Sequence, residues 1–235
     1  KQLLLGERVT EPRGFANTYH RWAGKKGANI SNPDSWSDYV YENKGITYMT
    51  DEGTPQLSWT AVMKLGNTAT GNEDLEFLGL EITNGQVLKL NKGINLTGRN
   101  EIRISDGGTL TVEGGTVSSL RWIDVKEGAT LKGQGKIEGT LYNEGTVDVT
   151  LDKVGTSGFA INGDAFLAGR LVLDFPRGFI TNSATPIPVL VADAIHGRFT
   201  NPEHIVSANG GQRFEIGYSA NAVVVTPILE SFTAK

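Results

Sequence analysis

Along the middle of the chain apolar residues recur in pairs with one residue between them, and the pairs come in threes. Leu80/Ile82, Leu88/Leu90 and Ile94/Leu96 are followed by Ile102/Ile104, Leu110/Val112 and Val117, then by Ile123/Val125, Leu131 and Ile137. Within a pair the alternation is that of a strand with one buried face. Between triplets the spacing is 22 and then 21 for Leu80, Ile102 and Ile123, and again 22 and 21 for Leu88, Leu110 and Leu131. The third place, counted from Ile94 through Val117 to Ile137, gives 23 and 20. A repeat of this length marks a solenoid. Three short strands per repeat, each ending in a turn, describe a right-handed, three-sided parallel β-helix of about 22 residues per coil.

The turns support this. Between the strands lie Asn84-Gly85, Lys92-Gly93, Asp106-Gly107-Gly108, Gly114-Gly115 and Gly128. Strands follow one another too closely for an intervening helix, and no 3.6-residue periodicity appears. Residues 75–150 are therefore read as the regular coils. Residues 1–74 differ: they hold Trp22, Trp36 and Trp59 with Tyr19, Tyr39, Tyr41 and Tyr48, and a turn-rich run around Asn32-Pro33. An open solenoid end exposes core and unpaired backbone. An aromatic-rich N-terminal cap and first coil, with a short strand near 45–49, is the expectation for this region. Residues 151–235 are read as wider coils with strands near 165–173, 187–192, 213–218 and 222–227, the last closing the fold. A separate β-sandwich there is the alternative. All three regions are read as one continuous domain.

Alternation also says which side chains face outward. On the first face these are Glu81, Arg103 and Asp124, with Asp148 as the expected continuation. Such a ladder is either simple charge pairing or a site for an acidic sugar. Trp122 flanks it, pointing outward beside Ile123, either as a platform for a sugar ring or under a covering loop. Lys126 borders the same row, and Arg121 precedes the tryptophan. The second face shows Lys89, Thr111 and Lys132 outward, with Thr109 and Thr130, and reads as structural.

Composition adds exclusions. Glycine reaches 30 of 235 residues, spread along the chain as turns require, and cysteine is absent, which removes disulfides and thiolate metal sites. The net charge of −4 and the lack of a Lys/Arg run argue against nucleic acid as a partner. No apolar run is long enough to span a bilayer. The start at Lys1 has neither an initiator Met nor a leader-like apolar core, so a mature or excised fragment is expected.

A search for reaction chemistry finds little. His20, His196 and His204 show no zinc spacing, and Asp106-Gly107-Gly108 and Gly163-Asp164 are isolated fragments of a calcium repeat. No cofactor or metal is expected. If the fold carries a lyase for uronic-acid polymers, which needs a base, an acid and a carboxylate-binding cation, Lys126, Tyr142 and Arg103 are the candidate catalytic residues, with no role fixed to any one of them. Asp124 and Tyr142 are separated by less than one period, so their proximity is not implied. A glycoside hydrolase would instead need paired carboxylates, for which Asp124 and Asp148 are candidates.

Trp22-Ala23-Gly24 and Asn32-Pro33-Asp34-Ser35-Trp36-Ser37 resemble the opening of autotransporter-passenger-like and pectin-lyase-like β-helix proteins of bacterial surfaces. The Gly-Thr-Leu and Gly-Thr-Val units at 108–110, 115–117, 139–141 and 145–147 resemble the same group, as do Gly197-Arg198-Phe199 and Val223-Val224-Val225. The resemblance implies a scaffold and a secreted or cell-surface location in a bacterium, and transfers no catalytic residue. The resulting expectation is an extracellular module for binding or display, toward a polysaccharide or surface partner, with Trp122, Asp124 and Arg121 as ligand contacts. A polysaccharide-degrading enzyme with its groove on the first face is the alternative, and oligomeric state is left open.

Overall fold

The computed structural model describes residues 19–36, 40–43, 46–49, 60–151, 158–175, 184–208 and 211–229. The described residues are 64% strand and 3% helix, wound as a parallel β-solenoid of about five turns. The strands begin with β1 (Tyr19–Arg21), β2 (Ala28–Asn29), β3 (Val40–Asn43), β4 (Ile46–Met49), β5 (Thr60–Met63) and β6 (Thr68–Gly71). The central coils are β7 (Leu75–Ile82), β8 (Val87–Leu90), β9 (Leu96–Ile104), β10 (Thr109–Val125), β11 (Thr130–Asn143) and β12 (Thr146–Thr150). Then come β13 (Phe159–Asn162), β14 (Asp164–Leu167), β15 (Arg170–Asp174) and β16 (Ile187–Val191). The last strands among the described residues are β17 (Ala194–Gly197), β18 (Ile205–Ser207), β19 (Arg213–Tyr218) and β20 (Ala222–Pro227).

The parallel register stacks like on like. On the first face Ala61, Leu80, Ile102, Ile123, Leu141, Ala165 and Ile195 pair in succession. All but Ile195 are essentially inaccessible to solvent. On the second face Ala69, Leu88, Leu110, Leu131, Val147 and Leu171 do the same. The third face stacks Leu75, Leu96, Val117, Ile137 and Ile161. Val117 therefore sits on Leu96 and not on Ile94, which corrects the third-place count: measured from Leu96 the spacing is 21. These columns merge into one core along the axis, so hydrophobic burial is continuous and no staple is needed.

The coils are not equal in length. The steps from Leu80 to Ile102 and from Ile102 to Ile123 each match the sequence period, but the step from Ile123 to Leu141 is distinctly shorter. Two corners account for the shortening. Between β10 and β11, Gly114 and Gly115 lie opposite the single Gly135, and the stretch 119–121 lies opposite the single Gly139. The longer corner bulges outward, leaving Leu120 86% exposed. The tighter one needs Gly139: its φ is +125°, and a Cβ there would collide with the Ser119 carbonyl oxygen. Corners absorb such changes while the flat strands keep their register.

At the N-terminal end Trp22 and Trp36 are buried in the core, edge to face at 5.4 Å, with Phe77 against Trp36. The indole N–H groups stay satisfied: Trp22 donates to Asn67 Oδ1 at 3.0 Å and Trp36 to the Ile30 carbonyl at 2.9 Å. The expected strand near residue 45 is seen as β4, paired with β3. Trp59 and Tyr39 lie outside the described residues. At the other end the expected single strand over 165–173 is two, β14 and β15, broken at Ala168-Gly169 to turn a corner. The closing strand β20 carries Val223, Val224 and Val225, but it runs antiparallel to both β16 and β19. An antiparallel strand uses the edge bonds of the last coil without offering a further parallel template.

Candidate functional site

The outward column of the first face begins as expected, with Glu81 beside Arg103 and Arg103 beside Asp124. It then departs from expectation. The next residue is Tyr142, followed by Phe166 and His196, and not Asp148. Asp148 belongs to the second face, where it pairs in register with Lys132. The shortened corners at Gly135 and Gly139 cause the difference, because they bring Tyr142 under Asp124 although less than a full period separates the two. Asp124 and Tyr142 are thus neighbours, and the Asp124/Asp148 pairing considered for a hydrolase does not exist.

In-register coils about 4.8 Å apart stack identical positions face to face. Tyr142 and Phe166 lie 4.7 Å apart with planes 12° from parallel, and Phe166 and His196 lie 4.5 Å apart at 15°. Their faces are therefore turned toward one another and their edges toward solvent. Trp122 breaks the pattern. It stands 6.4 Å from Tyr142 at 85°, so its plane runs along the stacking direction and not across it. The indole is half-buried and donates to Glu101 Oε2 at 3.0 Å. Arg121 lies over the ring, 5.6 Å from its centroid.

A groove of about 450 Å³ opens beside this indole. Trp122, Tyr142, Phe166 and His196 form its aromatic side, and Arg103, Asp124, Lys126 and Glu144 its charged side. Asn143, Leu167, Ala168 and Gly197 complete it. Asn143 is unusual: it takes the core position between Val125 and Leu167, is 1% exposed, and leaves its Oδ1 without a hydrogen bond.

The charged side is a linked network. Asp124, expected to point into solvent, has a side chain only 8% exposed because two cations lie over it. Lys126 Nζ is 3.2 Å from its Oδ1 and Arg103 Nε 3.6 Å from its Oδ2. Lys126 also reaches Glu144 at 3.3 Å, and Arg103 reaches Glu101 at 3.4 Å. At the far end His196 Nε2 meets Asp164 Oδ2 at 3.0 Å. The hydrogen bond to the Asp124 carboxylate lifts the Lys126 pKa above the ordinary lysine value; burial opposes this, and the hydrogen bond to Glu144 adds a smaller lift.

A raised folded-state pKa means that Lys126 stabilises the fold fully below its unfolded value, about 10.4, and loses that contribution as pH rises through the folded value. The stability gap between wild type and Lys126→Met should therefore hold at neutral pH and narrow above about pH 10.4, as read by denaturant unfolding across that range. A gap independent of pH would mean that the ammonium charge plays no part.

Five of the residues singled out from sequence, Arg103, Trp122, Asp124, Lys126 and Tyr142, thus line one groove. Arg121 does not line it, and reaches the site only through the Trp122 ring. Phe166, His196 and Glu144 were missed. Phe166 could have been found, since it sits alone between the buried Ala165 and Leu167 in the outward phase of its strand. The second face is as expected: Lys89, Thr111 and Lys132 stack outward, Lys89 pairs with Glu113 at 3.0 Å, and Lys132 bridges Asp148 and Asp174 at 2.7 and 2.9 Å. Among the described residues no three His, Cys, Asp or Glu side chains gather as a metal would require, and no helix is long and apolar enough to cross a membrane. The chain has a parallel β-helix scaffold, and no family model, curated protein or solved structure matches it.

Proposed function

We propose that this chain is an extracellular β-helix module that binds a carbohydrate in the groove on its first face, as a secreted or surface-displayed protein. The observation that carries the reading is the open groove beside Trp122, in place of a flat or loop-covered face. A half-buried indole set along a groove offers an apolar plane to the C–H face of a sugar, while the charged side supplies donors and acceptors for hydroxyls. Binding is favoured over uronate elimination by the state of Lys126. Hydrogen-bonded to Glu144 and ion-paired with Asp124, it stays protonated and is a poor base for a C5 proton.

The test is a glycan array followed by calorimetry on whatever binds, alongside assays for unsaturated products and new reducing ends. Trp122→Ala should weaken binding about tenfold or more with little change in melting temperature. Affinity retained within about twofold would remove the indole from the site. Turnover abolished by Tyr142→Phe would replace the binding reading with an enzymatic one.

A further inference from the structure

Resting on the carbohydrate reading above, we infer that the groove selects uncharged, hydroxyl-rich sugars and rejects uronates. The reason lies in how its charges are already committed. Both cations lining the groove, Arg103 and Lys126, are ion-paired with the same carboxylate, Asp124. That side chain is 8% exposed, and its Oδ1 accepts no well-formed hydrogen bond, so the two cations are its compensation. A sugar carboxylate that drew either cation to itself would leave Asp124 buried and under-compensated, which is the costly way to break an ion pair. It would also meet Glu144, which lines the groove and is the outer partner of Lys126. The two cations of the groove are thus matched by its two carboxylates, Asp124 and Glu144, with Glu101 behind Arg103, so no positive charge is left over to receive an incoming anion. His196, held by Asp164, adds no unmatched positive charge. Arg121 is outside the groove, over the Trp122 ring.

Hydrogen-bonding capacity, unlike charge, is not used up. A guanidinium carries five N–H donors and an ammonium three. Arg103 donates from one terminal nitrogen to Glu101 Oε2 at 3.4 Å, and its side chain is 42% exposed, which leaves further donors of the fork for a ligand. Glu144 is 58% exposed and can accept from a hydroxyl while holding Lys126. Tyr142, 39% exposed, adds a phenol at the groove edge. A polyol can use each of these groups without displacing an ion pair. The arrangement suits a ligand that donates and accepts but brings no charge.

The experiment is an array carrying neutral glucans, xylans and galactans beside polygalacturonate and alginate, with each acidic polymer also present in carboxyl-reduced form. Binding to neutral or reduced glycans at least about tenfold tighter than to the acidic counterpart is expected. Equal or tighter binding of an acidic form overturns the inference and leaves the carbohydrate reading standing. Silence across every glycan overturns that reading and the inference with it. Glu144→Gln supplies the second arm, because it removes one repelling carboxylate at an exposed position. It should raise affinity for polygalacturonate at least about threefold over wild type. No gain in that variant would mean that charge balance is not the basis of selection.

Discussion

Gly169→Ala is expected to destabilise the protein by about 3 kcal/mol or more, at or beyond the top of the usual range for overpacking. Gly169 turns the corner between β14 and β15 directly over Gly145. The next residue, Arg170, donates its N–H to the Gly145 carbonyl at 2.7 Å, while Gly169's own carbonyl accepts from Thr200 N–H at 2.7 Å. A Cβ at Gly169 would sit far inside contact distance of the Gly145 and Glu144 carbonyl oxygens. Both are backbone atoms held in the stack, so neither can swing aside as a flexible side chain would. Relief requires parting two coils and lengthening their hydrogen bonds. Gly85→Ala is the comparison: its added Cβ meets nothing within 4 Å, and only the positive φ of 70° is unfavourable. It should cost about 1–2 kcal/mol. Denaturant unfolding of both variants checks the pair, and equal losses would mean that coil spacing does not limit this corner.

Ile102→Ala should cost about 3–4 kcal/mol, within the range for emptying a buried aliphatic site. Ile102 is fully buried in the first-face column, between Leu80 in one coil and Ile123 in the next. The backbone of each coil is fixed by hydrogen bonds to its neighbours, so the walls cannot close on the void. Ile102→Val removes one methylene and should cost about 1 kcal/mol. A loss below about 1 kcal/mol for the alanine variant would mean that this column is not the main source of cohesion.

The architecture was legible because it depends on a local rule repeated many times. Leu80, Ile102 and Ile123 are separated by one coil each and are in fact stacked. Half of the groove was legible for the same reason: once Ile123 and Val125 point inward, Trp122, Asp124 and Lys126 must lie toward the outside. The aromatic column was not legible. It depends on coil length, and coil length changes at corners where Gly135 and Gly139 each replace a longer run. A constant period carried past Val125 places the wrong residue under Asp124. The step from Tyr142 to Phe166 exceeds that period, and the step from Phe166 to His196 is longer still, so no single repeat finds them.

By itself, then, the order of residues determined that this is a parallel β-helix, which side chains of the regular coils turn outward, and that aromatic rings cluster near the N-terminal end. Periodicity and alternation are properties of neighbours in the chain, and they need no tertiary information. Only the folded structure decided that Tyr142, Phe166 and His196 form one stack and that Asp124 is buried under Arg103 and Lys126. It also decided that a groove opens beside Trp122. Those facts depend on how much chain each corner consumes. That amount is set by the packing of glycines against the coil beneath, which no spacing along a single strand records.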